Sequence, residues 1–174
     1  TFEDFQPKSN ELFDICLFSE SFQYIPLNKA IKKSKHLLNK NGKIIISDCF
    51  RSNVRFTSLH RPPGGGHSLQ KMYNEINLNN LEIIIEEDIT KSVSASIDLE
   101  QRFYNTVGVI TKRIIQSYSN RNRFTFKMIK IIYKILLSYK KRTQLNDRLF
   151  NNSRNSEAFE LHNNYMIFLL KPRI

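Results

Sequence analysis

Phe13 to Phe50 reads FDICLFSESFQYIPLNKAIKKSKHLLNKNGKIIISDCF, and the fold turns on this stretch. It divides into a short apolar run (Phe13 to Phe18), a polar shelf (Ser19, Glu20, Ser21), a helical pattern, a turn at Gly42 and a second Ile-rich run (Lys43 to Ser47) ending at Asp48. Two buried strands joined through a helix make a βαβ crossover, which requires the strands to be parallel and buried on both faces. Ligands of such sheets sit beyond the carboxyl ends of the strands, so Phe18 to Phe22 and Asp48 to Arg51 are expected to border one crevice.

The helix between the runs is predicted to start after Pro26, with Asn28 as N-cap. Ala30, Ile31, Ser34, Leu37 and Leu38 share one face, and Asn41-Gly42 supplies a left-handed stop. Farther on, HRPPGGGH (His60 to His67) reads as a surface loop. Its three successive glycines lack both the GxGxxG and the Walker spacing, so the loop is read as a flexible entry and lid hinge leading into a helix from His67 to Leu78. LEIIIEEDI (Leu81 to Ile89) is a third strand and YMIFLL (Tyr165 to Leu170) a last one. Between them, apolar residues recur at helical spacing over Ile97 to Tyr118 and again over Phe124 to Lys141, predicting two long helices and then a polar loop from Asn146 to Ser156.

The 174 residues suit one core, and Cys16 and Cys49 fall within or at the ends of strands, as buried, reduced thiols would. No stretch approaches the ~20 apolar residues of a membrane span and no signal-peptide pattern opens the chain, so a cytoplasmic protein is expected. The formal net charge of +11 is unevenly spread: Lys112 to Arg148 holds eleven Lys or Arg against one acid, Asp147. Lys127, Lys130 and Lys134 share a face there, as in a helix that follows phosphates or a lipid surface, or one that is merely solvated. Part of the basicity also accompanies heavy use of Lys, Asn and Ile.

FDICLFSESFQYI, LLNKNGKIIISD and LEIIIEEDIT together resemble the C-terminal half of a class I S-adenosylmethionine-dependent methyltransferase of the small-molecule kind. That family runs FDxV, a shelf and helix, LLKPGGxLLIxD, a further helix and strand, and a last antiparallel strand. Asn41-Gly42 stands where the family has Pro-Gly or Gly-Gly. The resemblance implies an α/β fold: a partial Rossmann-like methyltransferase sheet, parallel with an antiparallel last strand, over residues 1–90 and 157–174, plus an inserted helical substrate cap over 91–156. The family's Gly-rich first loop and the acid after its second strand have no counterpart, so the chain is expected to be part of a longer enzyme carrying about half of a cofactor site.

By the same resemblance the cofactor is S-adenosylmethionine and the partner a small-molecule substrate. Asp4 stands at the position of the acid that accepts the adenine amino group and Phe5 at that of its apolar neighbour. Phe18, Ser19 and Glu20 match the stretch whose backbone lines the cofactor. Methyl transfer from a sulfonium calls for alignment and water exclusion more than for covalent help, so the residues sought are positioning groups with at most one base. Glu20 is a candidate for contact with the methionine part or a substrate hydroxyl or amine, against a solvated loop acid. Asp48 is read as orienting substrate or capping a turn. His67 is a candidate base, against an ordinary histidine at a helix start. Tyr24, Arg51, Phe103 and Tyr104 are candidate substrate contacts, the aromatics equally explicable as core. No His or Cys pair has metal-ligand spacing, and no metal is expected. The competing readings are a basic nucleic-acid or anionic-surface binder and an inactive remnant of a methyltransferase.

Overall fold

The computed structural model describes residues 1–8, 11–54, 66–151 and 155–173. The chain divides into two compact units, one of Thr1–Ser94 with Glu157–Ile174 and one of Ala95–Ser156.

The first unit is a four-stranded sheet of β1 (Phe13–Ser19), β2 (Leu38–Arg51), β3 (Leu81–Asp88) and β4 (Asn163–Pro172), in spatial order β1-β2-β4-β3. β1 and β2 are parallel, and β4 runs antiparallel between β2 and β3. The expected crossover and the expected antiparallel last strand are both present. Alternation along each strand then decides what is covered. Cys16, Phe18, Ile44, Ile46, Phe168 and Leu170 point to one face, where α1 (Leu27–Leu37) and α2 (Leu69–Leu78) bury them with Ala30, Ile31, Met72 and Ile76. Phe18 sits edge-on between Phe2 and Phe22, at 5.0 and 5.2 Å between ring centres. The opposite face differs: Ile15, Leu17 and Ile85 are 54%, 65% and 49% exposed. The sequence expectation of parallel strands buried on both faces therefore holds here for one face alone.

Local boundaries depart from the sequence expectation in three places. α1 ends at Leu37, and Leu38 is already extended and paired with Phe13, so β2 begins five residues before Lys43. The register then shifts, because Phe13 to Ile15 on β1 faces Leu38 to Lys43 on β2. Gly42 therefore lies in an irregular stretch of strand and does not form a left-handed stop. Glycine is required there by a close approach: a Cβ would lie 2.8 Å from Leu38 Cδ2 and 2.9 Å from the Phe13 carbonyl. At the other end of α1, Pro26 is the N-cap, and Asn28, inside the first turn, accepts from the Lys29 amide at 2.8 Å.

The second unit holds most of α3 (Thr90–Arg121), with α4 (Arg123–Leu136) and α5 (Tyr139–Phe150); α6 (Ser156–His162) leads back into β4. The single helix expected over Phe124 to Lys141 is thus two, parted at Leu137–Ser138, where the Ser138 hydroxyl accepts from the Lys141 amide. α5 runs on through the first part of the stretch expected to be an Asn-rich loop. α3 and α5 come so close at Gly108 that a Cβ would fall 2.3 Å from the Leu149 carbonyl. Gln101 on α3 also donates to the Arg148 carbonyl at 2.9 Å.

Candidate active site at the tips of the parallel strands

Parallel pairing carries Ser19 of β1 to a position opposite Ser47 of β2. One residue farther, the Glu20 amide donates to the Ser47 carbonyl at 2.9 Å. Glu20 has a φ of 49°, a left-handed conformation that costs a non-glycine residue on the order of 1–3 kcal/mol. Its side chain is held as well, because the Tyr165 hydroxyl donates to Glu20 Oε1 at 2.9 Å. Tyr165 reaches it from β4, where it pairs with Cys49 just beyond the β2 residues that face β1. Burial, followed by the hydrogen bond to the Glu20 carboxylate, pushes the Tyr165 hydroxyl up to about 12. The phenol therefore stays a donor throughout the neutral range.

Asp48 is 1% exposed, and its two oxygens accept from the Gln23 amide (3.1 Å) and the Cys49 amide (2.7 Å). Gln23 lies in the 3-10 turn Phe22–Tyr24 that follows the shelf. The carboxylate thus latches the shelf turn to the end of β2. Of the two sequence readings for Asp48, its geometry matches the turn cap.

His67 closes the other side of that turn. Its Nε2 lies 2.8 Å from the Ile25 carbonyl and 3.2 Å from the Phe22 carbonyl, and its ring meets Phe22 edge-on at 5.7 Å. Among the described residues the groups facing Nε2 are both carbonyl acceptors, which places the proton on Nε2 and leaves Nδ1 as the ring atom able to take one. The His67 carbonyl accepts from the Arg51 amide at 2.8 Å, tying the end of β2 to the segment before α2. Gly66 supports this junction with φ 101°, its α-carbon so near the Cys49 carbonyl that a Cβ would stand 2.2 Å away. The remainder of the glycine loop expected to act as a hinge, together with His60, lies outside the described residues.

The other candidates are distributed more widely. Tyr24 is 80% exposed on the shelf turn, whereas the Phe18 ring belongs to the core and leaves its backbone at the tip. Asp4 and Phe5 are exposed in the leading turn, where the Thr1 hydroxyl donates to Asp4. Phe103 and Tyr104 belong to the second unit, where the Arg148 guanidinium stands 5.3 Å over the Tyr104 ring. A groove of about 360 Å³ between α1 and α2, lined by Leu27, Asn28, Lys71, Asn74, Glu75 and Leu78, includes none of the candidate residues. Tyr165 and the Gln23 amide are the participants that sequence reasoning missed. Neither carries a local signal, since Tyr165 lies 145 positions from its partner.

No protein-family model and no curated protein matches the chain. Solved structures do. A candidate sarcosine dimethylglycine methyltransferase from Galdieria sulphuraria aligns with a TM-score of 0.53 at 13% identity, over 98% of this chain and 56% of its own. The cyclopropane synthase MmaA2 from Mycobacterium tuberculosis aligns at 0.58 and 10% identity, over 97% and 57%. The 4+2 cyclase SpnF aligns at 0.52 and 11% identity, over 100% and 54%. The chain spans just over half the length of these three structures. With its sheet order, its parallel β1-β2 pair and its antiparallel β4, this chain has the fold of the class I S-adenosylmethionine-dependent methyltransferases.

Proposed function

We propose that this chain forms the C-terminal part of an enzyme that transfers a methyl group from S-adenosylmethionine to a small molecule. The observation that carries the reading is the parallel pairing that sets Ser19 beside Ser47, with Glu20 fixed at the lip. Strand tips so arranged are where α/β sheets hold their ligands. When bound, the cofactor supplies a methyl carbon activated on a sulfonium; the acceptor's lone pair forms the new bond, the carbon–sulfur bond breaks, and the acceptor's proton must leave.

In this reading the backbone of Phe18, Ser19 and Glu20 lines the cofactor, and Asp4 with Phe5 meets its adenine. Glu20 receives the acceptor's hydroxyl or amine through the carboxylate oxygen that Tyr165 does not engage. Asp48 and His67 hold the shelf in position, and His67 Nδ1 is the second group able to accept a proton. Tyr24, Arg51, Phe103 and Tyr104 are the proposed substrate contacts. The sheet supports a completing segment as well. β1 pairs on one side only among the described residues, Ile15 and Leu17 lie bare on its face, and the matched structures are nearly twice as long. Further strands beside β1 would pair its open edge and supply the rest of the cofactor site, and the helices connecting them would cover that face.

Calorimetric titration of S-adenosylmethionine into the full-length gene product is the test. Saturable heat that weakens in Glu20→Ala supports the proposal, and no heat at millimolar cofactor overturns it.

A further inference from the structure

α4 reads RFTFKMIKIIYKIL, fourteen residues that form about 21 Å of helix. At about 100° per residue, Arg123, Lys127, Lys130 and Lys134 fall within a sector of about 60°. Phe124, Met128, Ile131, Ile132, Ile135 and Leu136 occupy the far side, and the helix contains no acid. In α1 the apolar face is buried: Ala30 and Ile31 are at 0% exposure. In α4 no residue is buried, and Phe124, Ile135 and Leu136 are 76–78% exposed. No element among the described residues buries this helix, although the Tyr118 hydroxyl of α3 donates to Thr125 Oγ1 at 3.1 Å.

We infer that α4 docks this protein, in the plane of the interface, onto a membrane surface rich in anionic lipid. The apolar side would enter the boundary between headgroups and acyl chains while the four cations meet lipid phosphates and carboxylates. Charge complementarity selects this occupant: from Lys112 to Arg148 the single acid is Asp147. A nucleic acid would account for the lysines but leaves the apolar side uncovered, and its readers interleave aromatics with cations on one face. No helix among the described residues is long and apolar enough to cross a membrane, so the helix would lie on the bilayer. The inference is independent of methyl transfer, since it concerns binding alone and involves no residue of the strand tips.

These 174 residues hold no tryptophan, so Phe124→Trp gives a reporter within them whose response to lipid is read as the difference from the unsubstituted protein. With vesicles of phosphatidylcholine containing about a third phosphatidylserine, the reporter's emission should shift to the blue and the protein should sediment with the vesicles. Pure phosphatidylcholine should capture far less. Lys127→Gln, Lys130→Gln and Lys134→Gln together should weaken partitioning on the order of 100-fold, at about 1 kcal/mol per cation. Ile131→Ser with Ile135→Ser should abolish both signals while the far-ultraviolet circular dichroism stays unchanged. The inference is overturned by any of three outcomes: no capture by anionic vesicles, capture that survives the isoleucine changes, or a stable dimer in lipid-free buffer that shields the reporter indole from quenchers. Tighter binding to duplex RNA or DNA than to anionic vesicles, dependent on the lysines alone, would also overturn it.

Discussion

Replacing Asp48 by alanine removes the carboxylate that joins the shelf turn to β2. The side chain is almost fully buried and accepts two backbone amides, at 2.7 and 3.1 Å. Hydrogen bonds to a charged acceptor contribute about 1.5–3 kcal/mol each, and water entering the vacated space recovers part of the loss, so the net destabilisation should be about 3 kcal/mol. For a chain of this size each kcal/mol moves the melting midpoint by about 2–4 °C, giving a fall of about 6–12 °C. Asp48→Asn keeps one carbonyl acceptor and should cost about 1 kcal/mol. Thermal unfolding followed by circular dichroism ranks the three proteins. If Asp48→Ala melts within a degree of the unmodified chain, the latch has no energetic weight and the shelf is held by something else. If both variants melt normally but lose cofactor affinity, Asp48 contacts ligand directly.

Burial, then hydrogen bonding to Glu86, pushes the Tyr73 hydroxyl up to about 12, as burial and Glu20 do for Tyr165. A folded-state value above the ordinary 10 stabilises the fold below about pH 10, and this stabilisation is lost as pH rises toward 12. Absorbance at ~295 nm should therefore keep a late ionisation step near pH 12. That step should be smaller in Tyr165→Phe and in Tyr73→Phe, and its absence from the folded chain would contradict the burial of both. Gly42→Ala forces a methyl against Leu38 and the Phe13 carbonyl, and should cost about 1–3 kcal/mol in denaturant unfolding; a neutral result would mean that the bulge relaxes freely. Cys16 and Cys49 are both buried, and burial raises the Cys16 thiol above its ordinary value. Both should react with a disulfide reagent only as fast as the sheet opens, and prompt reaction in native buffer would refute that.

The sheet was legible because its evidence is local. FDICLFS and KIIISD are apolar runs separated by a helical pattern, and two strands joined through a helix form a parallel crossover. YMIFLL, set apart by the long helical insertion, was legible as a strand, and its antiparallel sense came through the family resemblance. What escaped notice depends on distant partners. The early start of β2 at Leu38 follows from its pairing with Phe13, which no pattern within LLNKNGK discloses. The break at Ser138 was hidden because Tyr139 continues the apolar period of α4, while the capping hydroxyl is one polar residue among many. Asp48 was recognised as either cap or contact, but the choice required the position of the Gln23 amide. Glu20 was singled out from its place at a strand tip, whereas the tyrosine that holds it comes from the far end of the chain.

Whether the strand tips hold the cofactor can be read one amide at a time. In a nitrogen–proton correlation spectrum of the full-length protein, adding S-adenosylhomocysteine should move the amides of Ser19, Glu20, Ser21 and Gln23 together, saturably, and leave α4 unmoved. Perturbations confined to the second unit, or none at millimolar ligand, would contradict the account.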